Sequence, residues 1–208
     1  MKQVVIFDYG FGNLRSAERA FSHVGTSVCI TSDRELAARA DGLVIPGVGS
    51  FRACMRGFLR ARGKEVVLER IKSSLPVFGI CVGHQILFEC SSEDGETSGI
   101  GLLRGRVEQV PAQTIPHIGW NEVEDTHNCE LFSQIDDPYF YFVHSYAVLH
   151  NSYDSVGADE VPNFFYTEHD GQRFISAVQY KSLFGAQFHP EKSGHAGLQL
   201  LKNWIEKL

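Results

Sequence analysis

Residues 75–85 read LPVFGICVGHQ, an apolar run ending in a cysteine bracketed by Gly79 and Gly83. LPVFGIC (75–81) has the continuous hydrophobicity of a strand buried on both faces of a parallel sheet. A helix is expected directly after it, near His84–Cys90. Cys81 therefore stands where a strand stops and a helix begins. Gly-x-Cys-x-Gly in that setting has the form of a nucleophile elbow, in which small residues permit a sharp turn. The turn pushes the thiol out at the sheet edge, and a helix N-terminus favours the thiolate. The amide of Val82, just after the cysteine, points where an oxyanion would form. The plainer alternative is a buried cysteine between two packing glycines, which suits Cys54 and Cys90 better.

Upstream, QVVIFD (3–8), TSVCIT (26–31) and GLVIP (42–46) read as strands. Between the first two, GFGN (10–13) is a turn and Asn13 an N-cap. Leu14, Ala17, Phe21 and Val24 then fall at helical spacing, and Gly25 stops the helix. A short polar helix follows the second strand. Phe51 to about Ser74 is helical in at least two pieces, broken near Gly63. This alternation predicts an α/β fold, an open and mostly parallel sheet with helices on both faces. Ligands bind at the carboxyl ends of such strands, which directs attention to Pro46–Ser50 and Cys81.

Downstream the runs shorten: LLRGRVEQV (102–110), YFYFVHSY (139–146), RFISAVQY (173–180) and LFGAQF (183–188). The last two read as a hairpin turning near Lys181–Ser182, so extra antiparallel strands are expected in the second half. A final helix after Gly194 carries a stripe of Leu198, Leu201, Ile205 and Leu208. No repeat or linker interrupts residues 1–208, which read as one domain.

A nucleophilic cysteine needs a base and a group that holds the base. QFHPEKS (187–193) offers both. Pro190 restricts His189 to extended geometry, and in an extended segment Glu191 projects to the same side as His189. The carboxylate could then fix the imidazole tautomer. A metal half-site is the competing reading, but two ligands cannot fill a zinc shell and no HExxH is present. PGVGSF (46–51) follows the third strand; Gly47 and Gly49 allow its amides to turn toward an oxyanion.

Composition narrows the classes further. The 208 residues are 43% hydrophobic and 21% charged, close to the globular average. A net charge of −6 argues against nucleic acid as partner. Arg52, Arg56, Arg60, Arg62 and Lys64 form a local basic stretch, read as a solvated helix face. No run reaches the roughly 18 apolar residues of a membrane helix, and MKQVVIFDYG starts a strand rather than a signal peptide. Five scattered cysteines without CxxC spacing argue against a disulfide framework and suit the cytoplasm.

Together PGVGSF, GICVGHQ and QFHPEKS resemble, in order and separation, the class I glutamine amidotransferases, whose sheet is flavodoxin-like. DYGFGNLRS (8–16), HIGWNEV (117–123) and YFVHSY (141–146) are similar to members that serve a (βα)8-barrel cyclase in histidine biosynthesis. The resemblance implies that Cys81 is the nucleophile, His189 the base and Glu191 the third triad member. It assigns Val82 and the Gly47–Val48–Gly49 backbone to the oxyanion region, which rearranges before catalysis in this family. It gives Gln85 and Glu93 to glutamine binding, with backbone at Ser145 and Tyr146 assisting. Asn13, Trp120, Tyr141 and Lys192 match positions that face the cyclase in a heterodimer. His84 departs from the family's more usual methionine, and Ser145 from its threonine.

The resemblance implies no metal or organic cofactor. Ammonia would pass to an acceptor site on another polypeptide, with little glutaminase activity from the isolated chain. The rivals are the same chemistry serving another synthase (anthranilate, aminobenzoate or GMP) and a stand-alone γ-glutamyl hydrolase. A dinucleotide-binding module is disfavoured, because Arg15 replaces the third glycine of GxGxxG in GFGNLR.

Overall fold

The computed structural model describes residues 2–127, 129–150 and 161–208. The first half alternates as expected: β1 (Gln3–Phe7), α1 (Leu14–His23), β2 (Ser27–Thr31), α2 (Arg34–Arg39), β3 (Gly42–Gly47), α3 (Phe51–Arg60), α4 (Gly63–Lys72) and β4 (Val77–Cys81). Then come α5 (Val82–Gln85), β5 (Phe88–Ser91), β6 (Thr97–Ser98), β7 (Leu103–Gln109), β8 (His117–Glu122), β9 (Tyr139–His144) and β10 (Tyr146–Val148). The chain ends in β11 (Asn163–His169), β12 (Gln172–Tyr180), β13 (Leu183–Ala186) and α6 (Gly194–Glu206).

Seven strands form the main sheet in the order β11-β12-β13-β4-β3-β1-β2. Pairing is parallel from β2 through β13, and β12 and β11 extend it with antiparallel pairings. Helices cover both faces. In the register Ile6, Val44 and Phe78 are level, so they share a face, and Phe7 points to the other. Phe78 meets Trp204 of α6, which meets Phe21 of α1 edge-on; Phe7 meets Phe58 of α3. A sheet buried on both sides in this way requires the unbroken apolar strands read from the sequence.

The α3–α4 break falls at Arg62, whose φ is 56°, and Gly63 lies too close to the Phe58 ring to carry a Cβ. The buried Arg70 of α4 ties the loops together. Its guanidinium donates to the carbonyls of Ala37, Ala38, Ala40, Asp41 and Pro76 at 2.7–3.1 Å. Burial lowers its pKa to about 10.

Several sequence expectations need correction. The helix expected over His84–Cys90 stops at Gln85, and β5 begins at Phe88. Residues 99–102 dock there: their amides take the carbonyls of Ile86, Leu87, Phe88 and Glu89, and Gly99 sits where a Cβ would strike the Phe88 carbonyl. YFYFVHSY is two strands, because β9 pairs with β8 while β10 crosses to β7. Asn13 occupies the N-cap position without a side-chain cap bond. In α6 the buried face is Gly197, Leu200, Leu201, Asn203 and Trp204; Leu198, Ile205 and Leu208 are only partly buried at its flank. No helix among the described residues is long and apolar enough to cross a membrane.

Candidate active site

The three motifs converge because β3, β4 and β13 are neighbours in the sheet. PGVGSF leaves the end of β3, GICVGHQ ends β4, and QFHPEKS follows β13, all at carboxyl ends of parallel strands. Gly47 stands opposite Cys81 in the register.

Cys81 is held at φ 55° and ψ −114°, a conformation that costs a non-glycine residue about 1–3 kcal/mol. The flanking glycines are needed for closeness rather than for positive φ. A Cβ on Gly83 would strike the Ile45 carbonyl, and one on Gly79 the Gly83 carbonyl. One on Gly47 would meet the Gly83 amide. The elbow is therefore clamped against β3, and the clamp holds the strained turn. The helix after it is a single turn of four residues, so its dipole supports the sulfur less than a full helix would.

His189 is fixed by its backbone. Its amide donates to the Tyr141 carbonyl at 2.9 Å, and its carbonyl accepts from Ser193 Oγ at 2.6 Å. Its Nδ1 lies 2.8 Å from Glu191 Oε1, with both side chains buried. The expected route to that contact is corrected here. Residues 190–192 form a 3-10 turn, not an extended segment, and the turn brings the carboxylate back under the ring. With Nδ1–H donating to Glu191, Nε2 is left for the sulfur side. Burial opposes a charge on His189, but the neighbouring Cys81 and the Glu191 carboxylate outweigh this and raise its pKa to about 10. The imidazole is thus cationic at neutral pH, and Nε2 has no hydrogen-bond partner among the described residues.

Cys81, His189 and Val82 open onto a cavity of about 460 Å³ lined also by Val48, Gly49, Gln85, Glu93, Ser145 and Tyr146. Gln85 spends both amide hydrogens, on the Tyr146 carbonyl at 2.8 Å and on Gln187 Oε1 at 2.9 Å. Its own Oε1 remains an acceptor. Glu93 takes the Phe51 amide on Oε2 at 2.7 Å, and burial chiefly raises its pKa. A carboxylate and an amide oxygen in one cavity suit an ammonium group such as that of an amino acid.

Of the residues matched to a partner face, Lys192 lines this cavity, with Nζ 5.8 Å from the Tyr141 ring. Trp120 stands opposite Tyr141 across β8 and β9 and is 56% exposed beside Ile118 at 59%. Asn13 lies apart from the cavity, in a turn whose Gly12 packs on Pro46.

Sequence reading overlooked Gln187, fully buried with Nε2 3.8 Å from the Cys81 sulfur. No local signal marks it: residues 187 and 188 bend away after β13, and the contact with the sulfur comes from the pairing of β13 with β4. It also missed the buried pair His117 and His144. Among the described residues no group of three or more His, Cys, Asp or Glu is placed to hold a metal ion.

Comparison with known proteins supplies the rest. The family model for glutamine amidotransferase class-I matches residues 5–208. Imidazole glycerol phosphate synthase subunit HisH of Corynebacterium diphtheriae is 46% identical, over 100% of both chains. The protein of the same name from Streptomyces avermitilis is 51% identical, over 100% of this chain and 97% of that one. Among solved structures, PurLQS from Thermotoga maritima superposes with a TM-score of 0.73 at 20% identity, over 99% of this chain and 98% of that chain. A crystal structure of a glutamine amidotransferase does so at 0.71 and 16%, covering 98% and 97% of the two chains. At such low identity these two speak for the fold alone.

Proposed function

This chain belongs to the class I glutamine amidotransferases, and from that premise we propose that it is the glutaminase subunit of an imidazole glycerol phosphate synthase. In this reading it hydrolyses L-glutamine and passes ammonia to a (βα)8-barrel cyclase subunit, which makes imidazole glycerol phosphate and AICAR. The observation that carries the subunit assignment is the end-to-end match to the HisH relatives at 46% and 51% identity.

The chemistry follows from the site. The Cys81 thiolate attacks the side-chain amide carbon of glutamine, forming a C–S bond and an oxyanion. The amide of Val82 and the Gly47–Val48–Gly49 backbone are the available donors to that oxygen. His189, cationic and held by Glu191, gives its Nε2 proton to the leaving nitrogen; the C–N bond breaks, leaving ammonia and a glutamyl thioester. Neutral His189 then takes a proton from water, whose oxygen attacks the thioester to release glutamate and restore the thiolate. Gln85 Oε1 and the Glu93 carboxylate hold the substrate ammonium. Trp120, Tyr141, Lys192 and Asn13 face the cyclase.

Glutamate formation by the purified chain tests this, alone and then with the barrel cyclase and its nucleotide ligand. A large rise on adding both, abolished by Cys81→Ala, is the expected result. Strong activity alone that the cyclase leaves unchanged would overturn the subunit assignment and keep the cysteine chemistry.

A further inference from the structure

The Cys81 sulfur faces a hydrogen-bond donor that neither His189 nor Glu191 supplies. Gln187 Nε2 lies 3.8 Å from it, in a buried position. A chain of fixed donors decides that the nitrogen end of this amide faces the sulfur. The Tyr146 carbonyl can only accept, so Gln85 must present its amide nitrogen there, at 2.8 Å. The second N–H of Gln85 meets Gln187 Oε1 at 2.9 Å. The Gln187 oxygen is thereby occupied, and its nitrogen is left for Cys81.

The other side of the Tyr146 carbonyl extends the chain. His144 Nδ1 donates to it at 3.1 Å, so His144 Nε2 must accept from His117 Nδ1, 3.0 Å away. His117 Nε2 in turn accepts from Asn121 Nδ2 at 3.3 Å, and Asn121 also donates to the Glu168 carbonyl. Burial lowers the pKa of His144 to about 3 and that of His117 to about 4, so both rings stay neutral and the donor order holds at neutral pH. The polar chain runs from Asn121 on β8, the strand that carries exposed Trp120, to the sulfur.

We propose that Gln187 is a further catalytic residue, whose amide N–H donates to the Cys81 sulfur and stabilises its thiolate. Gln85, Tyr146, His144 and His117 act as positioning residues that keep this amide turned the right way. The inference rests on Cys81 being the nucleophile. Gln187 transfers no proton; it stabilises the negative sulfur and orients it toward the cavity. A hydrogen bond to a charged group is worth enough to change a rate about tenfold.

The test follows alkylation of Cys81 by iodoacetamide against pH, read on the Cys81 peptide by mass spectrometry. It compares the full chain with Gln187→Leu and Gln187→Glu, each checked for folding by thermal melting. Gln187→Leu is expected to slow alkylation at neutral pH about tenfold and to displace the profile to higher pH. Gln187→Glu keeps the acceptor for Gln85 but sets a negative charge at the sulfur. It should displace the profile further while KM for glutamine changes less than kcat. A purely structural role would alter melting and leave the profiles superimposed; superimposed profiles overturn the proposal. An unreactive Cys81, together with glutamine turnover surviving Cys81→Ala, would instead overturn the nucleophile assignment and this inference with it.

Discussion

Replacing His84 by methionine should stabilise this protein, and more so in acid. The imidazole is buried on α5, edge-on to Phe88 at 5.1 Å, and neither ring nitrogen has a hydrogen-bond partner among the described residues. Leaving a buried polar group unsatisfied costs about 1–3 kcal/mol. Methionine is apolar, of similar size and adaptable in shape, and reshaping the site costs less than about 1.5 kcal/mol. The net gain at neutral pH is therefore about 1 kcal/mol, or about 2–4 °C in Tm for a chain of this size. Burial also lowers the pKa of His84 to about 3, against about 6.5 in the unfolded chain. Between those values the unfolded state binds more protons, so this residue's contribution is present above pH 6.5 and is lost as pH falls toward 3. At pH 5 the loss is about 2 kcal/mol. His117 and His144 have the same sign and remain in the variant, so the difference between the two proteins isolates His84. Urea unfolding at pH 7.5 and pH 5 should show the gap widening from about 1 to about 3 kcal/mol. A gap constant with pH, or a variant less stable at pH 7.5, would refute the reasoning.

Three other substitutions probe the same framework. Cys81→Gly removes the cost of φ 55° and should raise stability by about 1 kcal/mol or more while abolishing glutamate formation, read by melting and by a coupled glutamate assay. Glu191→Gln keeps the shape but removes the carboxylate that supports the His189 charge, so kcat should fall by at least about a hundredfold. Because His189 is raised to about 10, its stabilisation is complete below pH 6.5 and lost as pH rises toward 10. Glu191→Gln should flatten that alkaline decline in chemical denaturation. Arg70→Leu strips a shared donor from five carbonyls and should cost about 3 kcal/mol or more, seen as a lower urea midpoint.

What the sequence made legible depended on how local the determining force was. The continuous apolar runs of β1, β3 and β4 announced a sheet buried on both faces, because no other setting hides every side chain. The β5 segment failed for the opposite reason. Residues 86–90, ILFEC, suit either a helix or a strand, and the choice is made by residues 99–102 bonding to their carbonyls. β11 was missed because β12 pairs with it and nothing in NFFYTEH marks an edge strand. The stripe in α6 was misplaced by about one residue. Leu spacing suggested it, but the deepest position belongs to Trp204, wedged between Phe21 and Phe78.

The site divides along the same line. Cys81 and His189 were readable because each sits in a motif whose local geometry limits its conformation: glycines clamping an elbow, a proline keeping the residue before it extended. Glu191 was paired with His189 by an extended segment that is in fact a 3-10 turn. Gln187 and the His117–His144 pair were not readable, because their roles exist only once β4, β9 and β13 are assembled. Cys81 and Gln187 are 106 residues apart in the chain, yet they meet because β4 and β13 pair in register, with Ile80 beside Ala186. That register places the residue after Ile80 and the residue after Ala186 side by side. The geometry at Cys81 is thus set by sheet pairing as much as by its own turn. A slip of one residue between β4 and β13 would turn Gln187 to the opposite face and carry His189 with it. Parallel pairing at the centre of the sheet, where both faces are packed, is what forbids that slip.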